Sequence, residues 1–158
     1  MKLNLIYAQA GDVRNGYTNL NQFKIRNEEL EQDLHNLDNL VDDGEVEEIL
    51  AYDVIDYLDA SKVEATIDHW IRKLKVGGKI VVSGTDIIEV AKGVASYKLT
   101  ISDANQLLYN VDKNNPRTYK KVAFSCGALK EYMAKKHGLK IVTARINGYQ
   151  MVVSAEKQ

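Results

Sequence analysis

The sequence predicts an α/β protein, a three-layer sandwich whose mostly parallel sheet is closed by an antiparallel C-terminal hairpin. Three observations support this fold class. Residues 2–8 form an apolar run typical of a buried strand. The order strand, helix, Gly-Gly, strand over residues 45–84 is typical of a βαβ unit with parallel strands. Asn147-Gly148 lies between two strand-like runs and favours a tight hairpin turn.

The first third of the chain predicts short strands joined by loops. After the strand at residues 2–8, residues 9–16 are mostly polar with two glycines and predict a loop. Residues 17–20 predict a second short strand. Residues 23–33 are polar, acidic and only weakly periodic, and they predict no regular element. The later half of residues 45–52 is apolar and predicts a central strand.

The clearest helix begins after Ser61. Ser61 and Glu64 have the spacing of a capping box, in which the serine caps the helix. Gly77-Gly78 is expected to end the helix, and residues 79–84 then predict a buried strand. One apolar stripe at helical spacing is formed by Val63, Ile67, Trp70, Ile71 and Leu74.

The second half predicts three more helices and the hairpin. Ser102 and Ser125 are expected to cap two of the helices, and Gly138 to stop the last one. The loop at 112–119 contains the single proline, Pro116. Helices are predicted at 86–92, 102–110 and 127–136, and hairpin strands at 139–146 and 149–155.

Composition limits the class of protein. The chain has 158 residues, 45% hydrophobic and 27% charged, which suits one globular domain spanning residues 1–158. Its apolar runs are too short for a membrane span, and no signal peptide is expected. The single Cys126 excludes an internal disulfide framework and fits a reducing, cytoplasmic environment. The three histidines are far apart and lack the spacing of a metal site, so no metal is expected.

Charge is distributed unevenly along the chain. Residues 27–61 contain 13 carboxylates and no Lys or Arg, whereas residues 62–158 contain 17 Lys and Arg against 8 Asp and Glu. Two solvated faces of opposite sign would explain this pattern. The alternative is that a cationic ligand binds near the acidic part and an anionic ligand near the basic part.

Residues 49–83 resemble the small class I S-adenosylmethionine-dependent methyltransferases. The resemblance rests on the run EILAYDVIDYL at 48–58 and on WIRKLKVGGKIVV at 70–82. It extends more weakly to LNL at 3–5, to GYTNLN at 16–21, and to the closing hairpin, which is similar to the family's reversed last strand. Since the loop at 9–16 is too short for a helical crossover, the fold is expected to be truncated at its first helix.

The resemblance implies a cofactor, a reaction and a site. S-adenosylmethionine would lie in a crevice at the carboxyl ends of the strands, and the protein would transfer its methyl group to a small or nucleotide-like acceptor. Asp53 would face the methyl-transfer centre as the catalytic residue; alternatively it is an acidic residue favoured at a helix or loop start. The implied cofactor-binding residues are Ala8, Ala10, Gly11, Asp12, Asn21, Asp33, Leu34 and Tyr52.

The sequence departs from the family pattern at this site. The family's Gly-x-Gly loop is replaced by Ala8-Gln9-Ala10, with only Gly11 retained nearby. The acidic residue at the end of the second strand is Asn21, and residues 53–57 lack the family's histidines. These departures favour a second hypothesis, in which a catalytically inactive relative serves as a binding or interaction subunit with a protein partner.

The resemblance places acceptor recognition in residues 85–121. Aromatic and basic side chains in one segment are suited to an anionic or nucleotide-like acceptor. A packed lid with solvated lysines is the alternative. The side chains in question are Tyr97, Tyr109, Arg117, Tyr119, Lys120 and Lys121.

Overall fold

A computed structural model describes all residues, 1–158, and contains one seven-stranded sheet. The strand order is β3-β2-β1-β4-β5-β7-β6. The first five strands are parallel, β7 runs antiparallel to β5, and β6 runs antiparallel to β7. The strands are β1 Lys2–Ile6, β2 Thr18–Asn21, β3 Glu29–Glu31, β4 Val46–Ala51, β5 Leu74–Thr85, β6 Lys140–Asn147 and β7 Gln150–Glu156. The predicted sheet, mostly parallel with an antiparallel C-terminal hairpin, is confirmed.

Four α-helices accompany the sheet, and α4 continues into a π-helical turn at Tyr132–Lys136. No helix combines the length and the apolar composition that a bilayer crossing requires. The helices are α1 Val63–Lys73, α2 Ile87–Ala95, α3 Ile101–Tyr109 and α4 Cys126–Glu131, with 3-10 turns at Ile55–Tyr57 and Pro116–Thr118.

One face of the sheet carries the hydrophobic core. The strand register aligns Leu3 with Ile49 and Ile49 with Ile80, so these side chains lie on the same face. Trp70 of α1 and Met133, in the π-helical turn that continues α4, are buried against that face in the same cluster. The apolar stripe predicted for the first helix is therefore the face that α1 packs against the sheet.

The opposite face carries the segment 9–17 in place of a helix. The Asn4 side chain donates to the carbonyl oxygen of Asp12 at 2.8 Å, and the Arg14 N–H donates to Oδ1 of Asn19 at 2.9 Å. The Tyr17 hydroxyl donates to the Glu48 carboxylate. As predicted, no helix follows β1, and the short segment is held by hydrogen bonds to side chains of three strands.

Both predicted ends of α1 are wrong. The residue that precedes the helix is Lys62, which makes no side-chain capping bond, whereas the Ser61 hydroxyl donates to Asp59. The helix ends at Lys73, because Leu74 already pairs with Val46 as the start of β5. The two glycines lie within β5, and the Gly77 N–H donates to the carbonyl of Lys157 at 2.7 Å.

Three further predictions need correction. The cap of α3 is Thr100, which forms a reciprocal capping box with Asp103, rather than Ser102. The hairpin is confirmed, but its two loop residues are Gly148, at φ 62°, and Tyr149, because Asn147 pairs with Gln150. The short edge strand β3 was not predicted, because only three acidic and apolar residues form it.

Candidate functional site

The chain turns back sharply after β1. The Tyr7 N–H donates to the Ala10 carbonyl at 3.2 Å, and the Ala10 N–H donates to the Tyr7 carbonyl at 2.8 Å. Ala8 has a left-handed backbone with φ 53°, a conformation that costs a residue with a side chain. A tight turn therefore occupies the position where the family that residues 49–83 resemble has its glycine loop.

Asn21 closes this turn from the end of β2. Its Oδ1 accepts from the N–H of Ala8 at 2.8 Å and from that of Phe23 at 3.1 Å. Its Nδ2 donates to the Ala8 carbonyl at 3.0 Å and to Oε2 of Glu29 at 3.0 Å. The amide, whose side chain is completely buried, thus uses two donor and two acceptor positions within the chain.

Three aromatic rings pack beside the turn. The Tyr7 ring stacks on Tyr57 with 5.1 Å between centroids, and it meets the edge of Phe23 at 5.4 Å. The Arg117 guanidinium lies 4.7 Å from the Phe23 centroid. Asn110 donates to the Tyr57 hydroxyl at 3.2 Å, and burial is the main cause that raises the Tyr57 pKa to about 12. Tyr7, Phe23 and Tyr57 were missed in the sequence; a relevant signal is that Tyr7 and Phe23 each lie within two residues of a strand end.

Tyr52 and Asp53 follow β4 on the same edge. Asp53 has φ 58°, and its N–H donates to the carbonyl and hydroxyl oxygens of Ser83 at 3.2 and 3.1 Å. With its amide nitrogen facing Asp53, Gln150 donates to Oδ1 at 2.9 Å. The Arg14 guanidinium lies 4.9 Å from the Tyr52 centroid. Asp53 is held in a strained conformation by β5 and β7, and such backbone outliers are enriched at functional sites.

Leu34 contacts α1, whereas Asp33 lies at the surface. The Leu34 N–H donates to Oε1 of Gln22 at 2.9 Å, and the Leu34 carbonyl accepts from the Trp70 indole at 2.8 Å. Asp33 is exposed and its carboxylate contacts His35 at 3.0 Å. Leu34 is therefore part of the core, and Asp33 lies at its surface.

The predicted site residues form three neighbouring groups at the edge of the sheet where the parallel strands end. Ala8, Ala10 and Asn21 form the closed turn, whereas the Asp12 side chain is exposed and its carbonyl contacts Asn4. Gly11 lies near the residue that follows β4, since a Cβ placed on it would lie 3.8 Å from the Tyr52 carbonyl oxygen. Asp53 lies beyond Tyr52, and Asp33-Leu34 is linked to the end of β2 through Gln22.

No cavity opens along this edge. Five cavities of about 230 to 400 Å³ occur in the structure, and none is lined by Asp53 or by any of the predicted cofactor residues. The backbone polar atoms of Ala8 are bonded to Asn21, and the Tyr7 ring fills the adjacent space. The polar atoms of Ala8 and Asn21 are therefore engaged within the chain, and none of the five cavities lies at the predicted cofactor residues.

Asp56 is a buried carboxylate next to the edge. Its Oδ2 accepts from the Thr85 N–H at 3.0 Å and lies 3.5 Å from Nζ of Lys120, whereas Oδ1 has no hydrogen-bond partner. Burial raises the pKa of Asp56, although Thr85 and Lys120 oppose the shift. The Asp56 carbonyl also accepts from the N–H groups of Lys121 and Val122, so Asp56 fixes the segment after α3.

No protein-family model and no curated protein matches the sequence. Solved structures do match the fold. A SAM-dependent methyltransferase from Methanosarcina mazei has a TM-score of 0.63 and 12% identity over 99% of this chain and 92% of that chain. A 1,6-didemethyltoxoflavin-N1-methyltransferase from Burkholderia thailandensis, solved with 1,6-didemethyltoxoflavin and S-adenosylhomocysteine, has a TM-score of 0.62 and 12% identity over 98% of this chain and 71% of that chain.

A third match is a putative methyltransferase from Haloferax volcanii in complex with the Trm112 methyltransferase activator. Its TM-score is 0.57 and its identity 11%, over 97% of this chain and 81% of that chain. Larger methyltransferases also match, one of them over 35% of its own length. The resemblance predicted from residues 49–83 is confirmed at the level of the fold. The chain has the fold of the class I S-adenosylmethionine-dependent methyltransferases.

Proposed function

We propose that the chain is a binding or interaction subunit built on the methyltransferase fold, and that its cofactor edge has become part of the scaffold. The observation that carries this proposal is the Asn21 side chain, which is fully hydrogen-bonded inside the chain and clamps Ala8. A residue in this state has no donor or acceptor left for a ribose.

The chemistry of residue 21 supports the same conclusion. An amide can accept from the Ala8 N–H and donate to the Ala8 carbonyl at once, whereas an ionised carboxylate only accepts. A carboxylate at this position would also face the buried Glu29 carboxylate, which Nδ2 of Asn21 contacts at 3.0 Å. The residue type at 21 is thus suited to closing the turn.

S-adenosylmethionine-dependent methyl transfer to a small or nucleotide-like acceptor is the second candidate function. It is supported by the matched structures, which are S-adenosylmethionine-dependent enzymes, and by the strained backbone of Asp53 at the carboxyl end of β4. The buried, unpaired Cys126 supports a reducing, cytoplasmic setting for either function.

Calorimetric and thermal-shift titrations with S-adenosylhomocysteine at millimolar concentration distinguish the two functions. We expect no binding heat and no change in melting temperature. A ligand at a hundredfold excess over its Kd would stabilise the folded state by about 2.7 kcal/mol, which corresponds to roughly 5–10 °C for a chain of this size.

A saturable shift with S-adenosylhomocysteine would contradict the binding-subunit proposal and favour methyl transfer. The variant Ala10→Phe then locates the ligand, because a shift lost in this variant places it at the turn and a shift retained places it elsewhere. The variant Val142→Glu is the matched control, since Val142 is exposed on β6, the far edge strand of the sheet.

A further inference from the structure

The segment containing α2 and α3 exposes an unusual amount of apolar surface. Six of the twelve exposed large hydrophobic side chains of the chain lie within residues 87–111. Tyr97 is 95% exposed, Ile101 66% and Tyr109 51%. Apolar exposure that is concentrated in one short segment is typical of an interaction surface, whereas single exposed hydrophobic residues are ordinary.

A cavity of about 230 Å³ gives part of this surface a defined shape. Ile87 of α2, Leu108 and Tyr109 of α3, and Val122 and Ala123 of the following segment line it, and Lys121 is its one charged residue. A cavity of roughly 150 Å³ accommodates benzene, so this one is large enough for a leucyl or phenyl side chain.

The walls of the cavity are held in place by the core. The N–H groups of Lys121 and Val122 donate to the carbonyl of the buried Asp56 at 2.7 and 3.2 Å. The Ile87 N–H donates to the Phe124 carbonyl at 2.9 Å. The cavity is therefore a fixed feature of the surface, and a partner would bind it without ordering it first.

The segment that carries this surface is positively charged, with six Lys and Arg against three Asp and Glu over residues 87–121. Lys98, Lys113, Arg117 and Lys121 are exposed and none has a carboxylate within 4.0 Å. Of the acidic residues in the same segment, Glu89 pairs with Lys92, Asp103 caps α3, and Asp112 accepts from the Asn114 N–H. Lys121, the one cation that lines the apolar cavity, is complementary to a ligand that combines an apolar group with a carboxylate.

We infer that the cavity between α2, α3 and residues 121–123 is a docking site for an acidic segment of a partner protein, which inserts an apolar side chain and places a carboxylate near Lys121. This inference rests on the proposed binding function and names the chemistry of its partner. A protein segment is favoured over a lipid surface because the cavity is lined by three elements and has the size of one side chain.

The test is a titration of the full chain, labelled at the methyl groups of Ile, Leu and Val, with a short synthetic peptide in which Leu-Phe is flanked on each side by Asp-Asp. We expect saturable chemical-shift changes at Ile87, Leu108 and Val122, and weaker binding at high salt. Tyr109→Ser and Lys121→Glu should each weaken binding by about tenfold or more. Val142→Glu should bind as the wild type does, because Val142 is equally exposed on β6.

Several outcomes would overturn the inference. They are the absence of saturable shifts at the cavity methyl groups, equal binding of a peptide with Lys-Lys flanks, and equal loss of binding in Val142→Glu. The wild type could instead bind phosphatidylserine vesicles and not the peptide. If Lys121→Glu then abolishes vesicle binding, the partner is a membrane and not a protein. If light scattering shows a dimer and Tyr109→Ser makes the protein monomeric, the partner is a second copy of this chain.

This experiment is independent of the cofactor titration. If the peptide does not bind and S-adenosylhomocysteine gives no binding heat or thermal shift, the docking site alone is wrong. A response to S-adenosylhomocysteine shows instead that the proposed function is wrong.

Discussion

Nδ2 of Asn21 donates to Oε2 of Glu29 at 3.0 Å, joining the end of β2 to the start of β3 in a fully buried pair. Glu29 also accepts from the N–H groups of Ile25 and Arg26 and from the Arg26 guanidinium. The loop between the two strands therefore folds around one carboxylate, and the amide that closes the β1 turn is bonded to the same carboxylate.

Asn21→Asp should destabilise the protein by about 2–4 kcal/mol at neutral pH. The variant loses both donated hydrogen bonds and places a second carboxylate beside Glu29. Urea unfolding followed by circular dichroism measures the change. Asn39→Asp is the control, since Asn39 is exposed and its amide accepts from Gln32 at 3.0 Å and donates to it only at 3.5 Å, and this variant should unfold as the wild type does. Equal stability of Asn21→Asp would show that the amide does not hold the turn.

The stability contributed by Glu29 should depend on pH. Burial alone would raise the pKa of Glu29, but the hydrogen bonds from Ile25, Arg26 and Asn21 outweigh it and lower the pKa below its usual value of 4.5. Because the pKa is lowered in the folded state, the carboxylate stabilises the fold above its usual pKa and loses this effect as the pH falls through the folded value.

Glu29→Gln should therefore lower the free energy of unfolding by about 1.5–3 kcal/mol at pH 7, with a smaller difference at pH 3. Urea titrations at several pH values measure this. Glu28→Gln, at an exposed neighbour, is the control and should change the free energy of unfolding at pH 7 by less than about 0.5 kcal/mol. A difference between Glu29→Gln and the wild type that stays constant from pH 7 to pH 3 would contradict the assignment.

Tyr7→Ala should destabilise the protein by about 3–5 kcal/mol, because it removes a buried ring that contacts both Tyr57 and Phe23. Tyr7→Phe keeps the ring, and the Tyr7 hydroxyl makes no hydrogen bond within the chain, so this variant should stay within about 0.5 kcal/mol of the wild type. Thermal unfolding measures the stability of the wild type and of the two variants. Similar losses in both variants would assign the effect to the hydroxyl instead of the stack.

Gly84→Ala should cost about 1–3 kcal/mol. A Cβ at Gly84 would lie 2.7 Å from Oδ1 and 3.2 Å from Cγ of the buried Asp56, which must then shift. Gly127→Ala is the matched control, because nothing lies within 4 Å of its added Cβ and it lies in α4. We expect Gly127→Ala to be neutral or stabilising by up to about 1 kcal/mol, and a neutral Gly84→Ala would mean that Asp56 is free to move.

The local pattern of the sequence determined the order of the major elements. Alternating and continuous apolar runs identify β1, β4 and β5, the helical stripe identifies α1, and a glycine turn identifies the closing hairpin. The exact ends of the helices and strands were harder to predict from the sequence. Ser61 has the residue type of a helix cap, yet its hydroxyl bonds to Asp59, a competition between near neighbours that spacing alone does not resolve.

The tertiary structure decided the state of the candidate site. The sequence identified Ala8 and Asn21 as departures from the family, and their meaning depends on a contact between residues 13 positions apart. The stack of Tyr7 on Tyr57 joins β1 to the turn after β4 in the same way. Periodicity records which face of a strand or helix is apolar, because that depends on neighbours along the chain. Whether an edge is open or filled depends on side chains that only the folded sheet brings together.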